Sequence, residues 1–66
     1  MKTSTVQTRY VIFNKVTDKF LGTDFRPTTS LDKAELFNDV TYAFDQQQEN
    51  EIVLRVKVTI EVKGEV

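Results

Sequence analysis

The chain has 66 residues, near the lower size limit for folding on a single core, and a formal net charge of −1. It contains no Cys and no His, which excludes disulfides, thiolate or imidazole metal sites and the commonest catalytic nucleophile and base. Its charge is unevenly spread: residues 1 to 26 carry five cations against two anions, whereas residues 27 to 51 carry one cation against six anions.

Met1 to Thr5 is polar and is expected to fray. Val6 to Asn14 is β-branched and aromatic, with Tyr10, Val11, Ile12 and Phe13 in succession. Both faces of such a strand are apolar, so it is either covered on both sides or meets a partner with its second face. The polar run Asn14 to Lys19 suits a tight turn, and Phe20 and Leu21 then open a second strand over about Lys19 to Thr23. Asp24 to Ser30 holds the single Pro and reads as a loop, in which Phe25 has no place in the alternation.

Leu31 to Gln48 admits two readings. One is a continuous helix capped by Thr29 or Ser30. The other, favoured because Asn38 and Asp39 are poor residues for a helix interior, is a short strand over Ala34 to Phe37 followed by a helix capped at Asn38 or Asp39. Val40, Ala43, Phe44 and Gln47 would then mark its buried stripe, and Asn50 suits the left-handed geometry that closes a helix.

From Ile52 every second residue is aliphatic: Ile52, Leu54, Val56, Val58, Ile60 and Val62. Val53, Arg55, Lys57, Thr59, Glu61 and Lys63 alternate with them, so a strand here has one apolar and one mostly charged face. The expected fold is α+β: a single ββ(β)αβ domain with a mostly antiparallel four-stranded sheet and one helix on one face. The first and last strands are expected side by side at the centre, over a core of Tyr10, Ile12, Leu21, Leu36, Val40, Ala43, Phe44, Leu54, Val56 and Val58.

The string from Tyr10 to Leu21, with its Asn14-x-x-Thr17-Asp18-Lys19 turn, and the string from Leu31 to Phe37, with Ala34-x-x-Phe37 and then Ala43, resemble small phage and prophage proteins of Gram-positive bacteria. The resemblance covers residues 10 to 45 and implies a hairpin, a short third strand and a helix. It also implies a phage accessory protein, and it identifies no site.

Function reads as non-catalytic. Asp18 and Asp24 flank the second strand as a conceivable carboxylate pair, but Asp commonly fills turns and loops. Gly22 and Gly64 are the only glycines, too few for a phosphate loop, and the chain is too small for a substrate pocket. No cofactor, metal or small-molecule substrate is expected. Arg55, Lys57 and Lys63 share a strand face with Glu61, a weak basis for single-stranded nucleic acid. No apolar run approaches the roughly 18 residues that span a bilayer, and Met1 to Thr8 lacks the apolar segment of a secretory signal, so the cytoplasm is the expected compartment.

The expected activity is binding of another protein, a bacterial host protein if the chain is phage-encoded. Phe25 and Arg26 are the candidate anchors, since an exposed aromatic beside an Arg suits an interface. Glu35, Asp39, Asp45 and Glu49 offer an acidic surface able to occupy the basic groove of a nucleic-acid-handling or defence enzyme. The alternative is a structural protein that dimerises by strand pairing: the last strand is longer than the second and third can cover, and the segment from Val58 through Ile60 and Val62 to Val66 would pair with a second copy.

Overall fold

A computed structural model describes residues 3–65. Four strands, β1 (Ser4–Asn14), β2 (Lys19–Leu21), β3 (Pro27–Thr28) and β4 (Glu51–Glu61), form one sheet in the order β3-β2-β1-β4, antiparallel throughout. A 3-10 turn at Leu31–Lys33 and one helix, α1 (Val40–Gln46), lie between β3 and β4. This is the small α+β domain that the alternation and turn residues imply.

β1 and β4 pair along their whole length, from Ser4 opposite Glu61 to Asn14 opposite Glu51. The strand overhang expected beyond Val58 is therefore absent. Ser4 and Thr5, expected to fray, extend β1 instead, and the Val62 amide donates to the Thr3 carbonyl at 2.7 Å. Met1, Lys2 and Val66 lie outside the described residues. β1 is central as expected, but β4 takes the sheet edge, because the strand beyond β1 on the other side is β2, joined to it by a hairpin.

That hairpin is built by Asn14, whose Oδ1 accepts from the amides of Val16 and Thr17, while its carbonyl accepts from Asp18. Asp18 closes the turn at φ 56°, a left-handed conformation that Asp tolerates better than most residues. Beyond β2, the Gly22 amide donates to the Arg26 carbonyl and the Phe25 amide to the Gly22 carbonyl. The chain thereby reverses within the expected loop, and Pro27–Thr28 emerges as the third strand. Ala34 to Phe37 does run along the sheet, but as two isolated bridges, Ala34 to Gly22 and Phe37 to Tyr10.

Asp39 caps α1, its Oδ1 accepting from the Thr41 amide at 2.8 Å. The helix ends at Gln46, and Asn50 does turn left-handed (φ 69°), though in the turn that enters β4 rather than as the helix cap. The buried apolar residues are Val11, Ile12, Ala34, Phe37 and Ala43. Ile12, Phe37 and Ala43 form one cluster, with Tyr10, Leu21 and Val53 packed against it. Of the expected core, Ile12 and Ala43 are fully buried and Tyr10 and Leu21 pack half-buried against them, whereas Val40, Val56 and Val58 are half-buried outside that cluster, the last two on the other face of the sheet. Leu36, Phe44 and Leu54 are exposed at 42%, 56% and 36% and do not belong to it.

The reason is positional. Phe37 sits opposite Tyr10 and fills the space over Ile12 that the helix stripe was expected to fill, so only the small Ala43 of α1 reaches the sheet buried. With a period of two, Leu36 then belongs to the other face.

Candidate functional site

The pairing register sorts every strand residue onto one of two faces, because directly paired residues share a face and neighbours alternate. Ile12 is opposite Val53, so the face that packs under α1 continues through Tyr10, Thr8, Val6 and Ser4 on β1 and through Arg55, Lys57, Thr59 and Glu61 on β4. The helix therefore covers the charged side of β4 at its one apolar position, Val53. The continuous aliphatic side, Ile52, Leu54, Val56, Val58 and Ile60, looks away from the helix.

On that second face β4 is joined by Thr5, Gln7, Arg9, Val11 and Phe13 of β1, by Phe20 of β2, and by Ala34 and Leu36 through the Gly22 bridge. Phe13 and Phe20 stack at 5.2 Å between ring centroids. Val11 is fully buried at the middle of this layer, whereas Leu54, Leu36 and Ile60 remain open to solvent, Ile60 at 51%. Among the described strand residues Arg9 is the one charged residue on the face, and its guanidinium donates to the Gln7 Oε1 and the Thr8 carbonyl.

The succession Tyr10-Val11-Ile12-Phe13 was the signal for this arrangement, since both faces of β1 are apolar. Which face takes the helix is not encoded in either alternation. It follows from Phe37 pairing with Tyr10, a contact 27 positions apart in the chain.

The other candidate residues are dispersed. Phe25 occupies the tight reversal after β2 at φ 62° and is 66% exposed, outside the buried cluster. It borders a cleft of about 320 Å³ together with Leu21, Pro27, Gln46 and Gln48, a volume that so short a chain was expected to be too small to enclose. Beside it, Arg26 is held toward Asp24, whose carboxylate accepts from the Arg26 amide at 3.0 Å and lies 3.8 Å from its Nε. Both side chains are exposed, so this ion pair contributes little to stability.

Of the acidic residues, Asp39 is engaged as the helix cap, Glu35 is half-buried beside the sheet, and Asp45 and Glu49 lie exposed on α1 and on the turn after it. Among the described residues no three carboxylates gather closely enough to hold a metal ion, and no helix is long and apolar enough to cross a membrane. Val58 and Ile60 belong to the second face, and Val62 follows β4 as an exposed side chain. Comparison of the chain with protein family models, curated proteins and solved structures finds no match.

Proposed function

We propose that the chain is a non-catalytic protein-docking module whose working surface is the sheet face turned away from α1. The observation that carries this reading is the pairing of Val11 with Leu54 and Phe13 with Ile52 on the side without a helix. It leaves a nearly charge-free aliphatic and aromatic layer in which Val11 is buried, Phe13, Phe20, Ile52, Val56 and Val58 are half-buried and Leu36, Leu54 and Ile60 are open to solvent. Contiguous apolar patches of this kind on small proteins mark interaction sites.

The likeness of residues 10 to 45 to small phage proteins supports placing the module among accessory proteins, with a bacterial host protein as one class of partner. Recognition through the acidic middle has less support, because Asp39 is spent on its own helix and the other carboxylates spread over separate elements.

A photo-reactive amino acid introduced at position 54, and separately at position 57 of the same strand, tests the assignment in the expressing cell. Leu54 is on the open face and Lys57 on the helix side. Protein adducts at position 54 and none at 57 support the reading. Adducts only at 57, equal adducts at both, or none at either overturn it.

A further inference from the structure

We infer that the occupant of the open face is a second copy of this chain, packed sheet to sheet about a two-fold axis, so that two four-stranded sheets form a sandwich with both helices outside. The inference rests on the docking role given to that face and names its partner.

Area is the first support. Eleven paired residues of β1 and β4 at about 3.3 Å rise and about 4.8 Å strand spacing, with β2 and Ala34 to Leu36 alongside, present roughly 500 Å² in projection. Side-chain relief adds to this, though Val11 and Ala34 are already buried and add nothing, which brings the face toward the roughly 600 Å² at the lower end of what each partner contributes to a stable interface. A copy supplies a surface of matching extent, because an isologous interface is one patch meeting itself.

Charge is the second support. A patch that meets its own copy must carry little charge, since each charge on it also meets its like. Among the described strand residues the open face carries one charge, the Arg9 cation, hydrogen-bonded to Gln7 and Thr8 but not neutralised by them, while Glu51, Arg55, Lys57 and Glu61 lie on the other face and Asp45 on the helix. Interfaces between identical subunits are the most apolar class, which this composition fits.

The third support is the shape of the fold. The long axis measures 44 Å and the thinnest dimension 16 Å, and the half of the sheet beyond Arg9 and Val56 has only two strands with no helix above them. A two-stranded ribbon is marginal in water on its own, and face-to-face packing at about 10 Å covers Val56, Val58 and Ile60 of each copy with those of the other.

Sedimentation of the full chain from low to high micromolar concentration, with two kinds of arginine variant, tests this. The wild type is expected at twice 7.6 kDa. Leu54→Arg and, separately, Ile60→Arg are expected to raise the dimer dissociation constant at least about tenfold, as loss of a central interface residue does, with the circular dichroism of the fold retained. Both side chains are exposed in the single chain, so at least one variant should fold. Thr59→Arg, on the opposite face of β4, is expected to leave the dimer intact.

A wild type that stays at 7.6 kDa at the highest concentration overturns the inference, as do folded open-face variants as dimeric as the wild type. Disruption by Thr59→Arg alone, or a mass that grows without limit through edge pairing, overturns it too. A monomer that still forms adducts with a different protein at position 54 removes the second copy and leaves the docking role standing. Absence of adducts at that position removes the docking role itself.

Discussion

Leu36 and Phe37 are neighbours in the chain and belong to opposite faces of the sheet, so truncating each in turn measures what the helix covers. Phe37 is 6% exposed, packs with Ile12 and Ala43, and has the Tyr42 ring 5.6 Å away. Phe37→Ala removes this buried ring and leaves a cavity, a change that costs about 3–5 kcal/mol. Leu36 retains over two-fifths of its exposure, and water replaces what Leu36→Ala deletes. With full burial of a leucine contributing about 1.5–3 kcal/mol, that change should cost about 1 kcal/mol.

A domain of this length has a total stability of roughly 3–10 kcal/mol, so the first variant approaches global unfolding at room temperature. Phe37→Leu, expected to lose about 1–2 kcal/mol, keeps the comparison measurable if the alanine variant does not fold. Urea unfolding followed by far-ultraviolet circular dichroism, at low protein concentration where single chains dominate, gives the values directly. Equal losses, or a larger loss at Leu36, would refute the assignment of faces.

Gly22→Ala is expected to destabilise the fold by about 1–3 kcal/mol, because the added carbon would lie 2.6 Å from the Arg26 carbonyl oxygen and the reversal must shift; thermal unfolding should show a fall of several degrees. Asp39→Ala removes the side-chain cap of a seven-residue helix and should cost about 1 kcal/mol, whereas Asp39→Asn should cost far less, as chemical denaturation of the pair will show. Phe25→Gly should leave the melting temperature unchanged or raise it, because an exposed phenylalanine at φ 62° is replaced by the residue best suited to that geometry. A clear loss of stability in that variant would assign the ring a packing role.

Local features were legible in the residues. Asn14 and Asp18 build the hairpin turn, Asp39 caps the helix, and the alternation from Ile52 produces a strand, each because the determining contacts lie within a few positions. Asn50 shows the limit of such reading: its left-handed tendency is realised, but four residues past the end of α1. The face assignment was not legible. Binary alternation in β4 states that one side is apolar and leaves open whether a helix or a partner covers it. The pairing of Phe37 with Tyr10 decides that, and Phe44 and Leu54 leave the expected core as a consequence. The edge position of β4 was hidden for a similar reason, since its apolar content suits burial by a second sheet as well as by neighbouring strands.

Nuclear Overhauser contacts from the Ala43 methyl group probe the two-faced sheet most directly. They should reach Ile12, with which Ala43 shares the buried cluster, and should be absent to Leu54, Val56 and Val58 at any protein concentration. Contacts from Ala43 to those three side chains would place the helix on the aliphatic side of β4 and remove the open face altogether.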